Sequence, residues 1–152
     1  MIPESKLIRS QITLRDMALT QEVKMARKSL VRWVALSLGL INPNESRRLL
    51  LDILDALFYF QINNRNPTTQ DVLDKLKSDT NAVPNSKAVY YHLLKLKESG
   101  FITRKKGRYF IGYEGDSRQM DEIIREIYFS KCDSSFMTIS EALKKLQVSY
   151  NE

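Results

Sequence analysis

The chain has 152 residues, of which 24 are Lys or Arg and 18 are Asp or Glu; 43% are apolar and 28% charged. That balance excludes a disordered chain and fits one globular domain, or a small domain with extensions, while a net charge of +6 and a pI near 9.4 favour an anionic partner. A single cysteine, Cys132, excludes an intramolecular disulfide, a single histidine, His92, leaves no Cys/His zinc set, and no apolar run reaches the ~20 residues of a membrane helix. A cytoplasmic protein without membrane contact, metal or cofactor is therefore expected, because the N-terminus MIPESKLIRSQ also lacks a leader's apolar centre.

The charge is unevenly spread. Basic residues outnumber acidic ones 7 to 3 over 1–43 and 9 to 4 over 66–113; the two are equal over 44–65, and acidic residues lead 8 to 5 over 114–152. The densest basic stretch, Lys87 to Arg108, holds seven cations against Glu98 alone. A solvated face is the plain reading of such a run, and an anion-binding surface the functional one.

In chain order, a short helix is expected around Leu7 to Leu19, followed by a longer one over Thr20 to Leu38. The longer one places Val23, Ala26, Leu30, Val34 and Leu38 on one face, with Gly39 as its stop. Asn42-Pro43-Asn44-Glu45 resembles a helix start, with Asn42 as cap and Pro43 in the first turn; the helix it opens, Glu45 to Asn63, carries a broad apolar surface suited to a core. Thr68-Thr69-Gln70-Asp71 forms a capping box for a helix to about Ser78, and Asn85 or Ser86 caps another to about Glu98, with Gly100 just beyond its end.

After Gly100 the period shortens from 3.6 to 2. Phe101–Lys105 and Arg108–Tyr113 are β-rich and flank Lys106-Gly107, which predicts a hairpin. Ser117 to Ser130 reads as a helix with Met120, Ile123, Ile124, Ile127 and Tyr128 along one stripe. A separate last helix begins at Thr138 or Ser140 and carries Leu143, Leu146 and Val148.

Three helices followed by a basic hairpin, with the phrase Leu93, Leu96, Gly100, Phe101, Ile102, resemble the recognition helix and wing entry of winged-helix transcriptional regulators. The segments Arg27–Trp33 and Asn42–Arg48 are similar to archaeal regulators of this type, the euryarchaeal archaellum-operon regulators among them. The resemblance covers about 70 residues. It implies a mainly α fold with a small β-hairpin wing: a winged helix-turn-helix unit over 44–113 between an N-terminal helical extension, 1–43, and a C-terminal helical segment, 114–152. It further implies sequence-specific binding of double-stranded promoter DNA, with the basal transcription machinery as a further partner.

The residues support that expectation independently. At 100° per residue Val89, Leu93 and Leu96 share one face, with His92 at its edge, while Lys87, Tyr91, Leu94 and Glu98 face the other way and Tyr90 and Lys95 flank them. Helix N-termini commonly enter the major groove, so Asn85, Ser86, Lys87, Tyr90 and Tyr91 are the candidate readers, joined by Lys95. Arg104, Lys105, Lys106 and Arg108 on the hairpin are the candidate contacts to phosphate or the minor groove. Leu94 has no core role in this arrangement; a thymine methyl or a neighbouring segment would suit it. Apolar helices on both flanks exceed the needs of one small core: either they wrap it as extra layers or they form a dimer interface, and a homodimer is expected.

A winged helix used only to dock proteins in a transcription, replication or RNA-processing assembly is the alternative function. An enzyme is not expected: no glycine-rich phosphate loop is present, and a His-based nucleophile system would depend on His92.

Overall fold

A computed structural model describes residues 1–45 and 47–152. The protein is mainly helical with one two-stranded antiparallel sheet. A 3-10 turn, Pro3–Leu7, precedes α1 (Gln21–Lys24), α2 (Arg27–Ser37), α3 (Arg48–Ile62), α4 (Thr69–Thr80), α5 (Ser86–Glu98), β1 (Ile102–Lys105), β2 (Arg108–Ile111) and α6 (Met120–Tyr150).

Helix α3 is the hub. Leu50, Ile53, Leu54, Ala56, Leu57, Phe58 and Phe60 are buried, and the helix packs against α2, α4, α5 and β2. Its all-round apolar character follows from having neighbours on several sides. Phe58 meets Phe101 edge-on at 6.4 Å, which ties the hub to the entry of the sheet. Helix α4 begins at the capping box: Thr68 Oγ1 accepts from the Asp71 N–H (3.1 Å), and the Asp71 carboxylate accepts from the Thr68 N–H (2.9 Å). That second bond holds the Asp71 carboxyl below the usual carboxylate range.

Four expectations are corrected. The helix around Leu7 to Leu19 is absent: residues 8–20 run without regular structure across the end of α2. Arg15 fixes this segment, its guanidinium donating to the carbonyls of Leu36 (2.7 Å) and Ile41 (3.0 Å) while its backbone N–H donates to Ser37 O (2.8 Å). A cation at the negative end of α2 satisfies carbonyls that the helix leaves open. The Trp33 indole N–H adds a bond to Ala18 O at 2.9 Å.

The second correction is the break of the expected Thr20–Leu38 helix at Met25-Ala26, where Ala26 takes an extended conformation and divides α1 from α2. The third is the start of the hub helix. Asn42 Nδ2 donates to Glu45 Oε1 (2.8 Å) and the Glu45 N–H donates to Asn42 O (3.0 Å), so these residues close a turn on themselves, and α3 starts at Arg48. The helical conformation expected at Ser46 lies outside the described residues. The fourth is that the two expected C-terminal helices are one 31-residue helix.

The first part of α6 packs on the core through Ile123 and Tyr128, with Met120, Ile124 and Ile127 beside them. Tyr128 OH donates to Leu38 O at 2.6 Å, and burial pushes its hydroxyl up to about 12. Lys131 Nζ donates to Ser99 O, placing an ammonium at the C-terminal end of α5. No helix among the described residues is long and apolar enough to cross a membrane.

Candidate nucleic-acid interface

Two elements carry the candidate residues. Helix α4 ends at Asn81, whose φ of 57° turns the chain out of the helix, and a short connection leads to the Asn85 cap of α5. Asn85 Oδ1 accepts from the Ala88 N–H at 3.2 Å. The side chain expected to read bases is thus engaged in holding the helix start, and it exposes the free N–H groups of the first turn beside it.

Val89, Leu93 and Leu96 are buried against the core, and α5 contacts α3, α4 and β1. Each such side chain contributes about 1.5–3 kcal/mol of transfer free energy. The exposed Lys95–Glu98 pair at 3.6 Å adds only a few tenths to about 1 kcal/mol. Apolar anchorage, not surface charge, therefore sets the rotation of α5. That rotation leaves Ser86, Lys87, Tyr90, Tyr91, Leu94 and Lys95 exposed, with both tyrosines about half accessible. Lys87, Tyr91, Leu94 and Lys95 recur at helical spacing, so they form one stripe with Tyr90 at its side. Lys95 Nζ lies 5.6 Å from the Tyr91 ring centroid, and the ring meets His92 edge-on at 5.5 Å. His92 is half-buried; burial, helped by the Arg47 charge, holds its imidazole below the usual range, which favours the neutral form.

Helix α5 passes through Ser99-Gly100-Phe101 into the hairpin, where Lys105 pairs with Arg108, Arg104 with Tyr109, Thr103 with Phe110 and Ile102 with Ile111. The two turn residues, Lys106 (φ 52°) and Gly107 (φ 78°), both lie in the left-handed region, as the tight hairpin turn that matches strand twist requires. Tyr109, Phe110 and Ile111 are buried, and Tyr109 OH bonds the buried Thr69 hydroxyl at 3.1 Å. A single bridge joins Thr68 to Arg108, and the Tyr109 N–H donates to Pro67 O at 2.8 Å, so the hairpin is stitched to the start of α4.

The four hairpin cations do not form one equivalent set. Directly opposed residues share a face, so Lys105 and Arg108 lie on one side of the ribbon and Arg104 and Tyr109 on the other. The Arg104 guanidinium sits 5.1 Å over the Tyr109 ring. Arg108 donates to Asn66 O at 2.8 Å and helps to hold the ribbon on the α3–α4 connection. Lys105 pairs with Glu114 at 2.8 Å; the bond raises the ammonium and lowers the carboxyl. Lys106 at the turn and Lys87 on α5 have no ion-pair partner among the described residues.

Sequence reasoning did not find Glu114, the acid that occupies Lys105; a separation of nine residues hides it, and only the hairpin's return path brings it close. A groove of about 710 Å³ lies elsewhere, between α2, α3 and α6, lined by Leu30, Trp33, Val34, Phe58, Met120 and Ile124. Among the described residues no cluster of three or more His, Cys, Asp or Glu is arranged to hold a metal ion. No protein-family profile, curated protein or solved structure matches the chain.

Proposed function

We propose that the protein is a winged helix-turn-helix transcriptional regulator in which α3, α4 and α5 form the helical unit, the hairpin is its wing, and duplex DNA is the ligand. The observation that carries this reading is the division of α5 into two faces. One is locked into the core by Val89, Leu93 and Leu96; the other offers Lys87, Tyr90, Tyr91, Leu94 and Lys95 to solvent, and the chain runs from this helix directly into a hairpin with a cationic turn. A helix with one face fixed and long polar side chains on the other suits the major groove. There Lys87 can donate to guanine O6 and N7, Leu94 can meet a thymine methyl, and the tyrosine hydroxyls can donate to phosphates. In this reading Lys106 meets the backbone, and Arg104 meets it while stacked on Tyr109.

The test is a fluorescence-anisotropy titration of labelled duplex DNA at two salt concentrations. With three to four phosphates neutralised, affinity falls about 100-fold between 50 and 200 mM salt. Absence of binding at the lower salt overturns the reading and assigns the α5 face to protein docking. A promoter selection or genome-wide occupancy map then supplies the operator.

A further inference from the structure

The second half of α6 is a helix with nothing packed on it. From Asp133 to Glu152 every residue is exposed. Without tertiary packing a helix rests on local propensity alone, and Ser134, Ser135, Thr138, Ser140 and Ser149 make that propensity low here. It nevertheless carries large apolar side chains. Phe129, Phe136, Leu143 and Tyr150 recur every seven residues; Cys132, Ile139 and Leu146 recur every seven, three residues after each of the first three. The alternating three–four spacing is that of a coiled-coil seam, sustained for three heptads over a length of ~32 Å. Exposure along the seam ranges from 43% at Ile139 to 79% at Tyr150, apart from the half-buried Cys132.

At 100° per residue the seam is centred about 120° around the axis from the face that α6 turns to the core. A partner helix can therefore dock without displacing Ile123, Ile127 or Tyr128, and the body of the protein lies away from it. Positions flanking a seam select the partner by charge. Here they are Asp133, Ser135, Ser140, Ala142, Gln147 and Ser149, of which only Asp133 is charged. A second copy of this helix meets no like-charge ladder, and the seam offers no charge pattern that would require a different chain.

We propose that residues 129–150 form a homodimerisation helix, pairing through this seam with the same segment of a second copy. Two such stripes bury on the order of 1,000 Å², about the minimum for a stable specific interface. Pairing supplies the tertiary contact that the serine-rich helix lacks. The dimer stands apart from DNA binding; only its consequence, two α5 faces delivered in one particle, rests on the function proposed above.

The test is sedimentation equilibrium of the full chain without DNA at about 50 µM, read against the 17.7 kDa monomer. The expected mass is twice that value. Leu143→Asp with Leu146→Asp raises the dissociation constant at least about 100-fold, because each places charge in the seam. Met137→Asp with Val148→Asp, likewise exposed apolar residues on the same helix but off the seam, leaves the dimer intact. All four positions lie outside the core, so the thermal transition of the body is unchanged and serves as the folding control. A wild-type monomer, an assembly larger than a dimer, or equal dissociation by both variant pairs overturns the proposal.

Discussion

Gly112 decides how the hairpin meets α6, and Gly112→Ala measures that junction. Its φ of 83° lies where an L-residue pays about 1–2 kcal/mol. A Cβ there would also stand 2.4 Å from Ile123 Cγ2, whereas carbon atoms in contact sit near 3.5–4.0 Å, so Ile123 or the strand end must move by about 1 Å. Ile123 is fully buried and cannot yield into solvent, and overpacking of this kind costs about 1–3 kcal/mol. The expected loss is about 2–5 kcal/mol. Gly107→Ala provides the internal reference: its φ is 78°, and a Cβ there meets nothing within 4 Å, so it carries the backbone cost alone. Urea unfolding followed by circular dichroism at 222 nm gives both values. A Gly112→Ala loss no larger than that of Gly107→Ala would refute the reasoning, since it would mean that the contact with Ile123 does not constrain the junction.

Three further outcomes are expected. Lys87→Ala with Tyr91→Ala reduces discrimination between a selected operator and random duplex by about 1–3 kcal/mol in competition titrations; equal loss on both sequences would remove these side chains from base reading. Lys106→Ala lowers the salt slope of DNA binding by about 1 unit, and Lys105→Ala lowers it by less because Glu114 already occupies that ammonium; equal slopes for the two variants would contradict the pairing. Because the folded-state pKa of His92 is depressed below 6.5, its contribution to stability is complete above about pH 6.5 and is lost as pH falls through the folded value. His92→Gln flattens the difference in melting temperature between about pH 7.5 and 5.5, and an unchanged difference would assign that pH dependence elsewhere.

The parts of the fold that were legible in the sequence are those whose local chemistry admits one conformation. Thr68 and Asp71 cap each other, Asn85 caps α5, and Gly107 takes a positive φ freely, so the tight turn forms there and imposes the same region on Lys106; the boundaries there follow from three or four residues each. The errors arise where distant contacts outweigh local signals. Residues 8–20 are rich in Ile and Leu, yet Arg15 and Thr13 bind them to the end of α2, where Gly39 admits Thr13 at a distance no side chain would tolerate. Asn42-Pro43 has the composition of a helix start, and its caps bond to each other instead. The polar run Cys132-Asp133-Ser134-Ser135 has the composition of a loop, and the helix runs through it. For the candidate interface, helical periodicity was enough to place Lys87, Tyr90, Tyr91 and Lys95 outward. It carried no information on which hairpin cations are already committed to Glu114, Asn66 or the Tyr109 ring.

Although α6 is geometrically one element, its two parts are held by different forces. Amides up to about Lys131 are fastened by the core and by the bond to Ser99, so their hydrogen exchange tracks opening of the whole protein. If residues 129–150 pair as proposed, amides beyond Lys131 owe their protection to the partner, and their exchange slows with protein concentration while the rest of the molecule keeps a constant rate. A protection profile that steps down inside a single unbroken helix, at a position set by one lysine, is the dynamic signature that this architecture imposes.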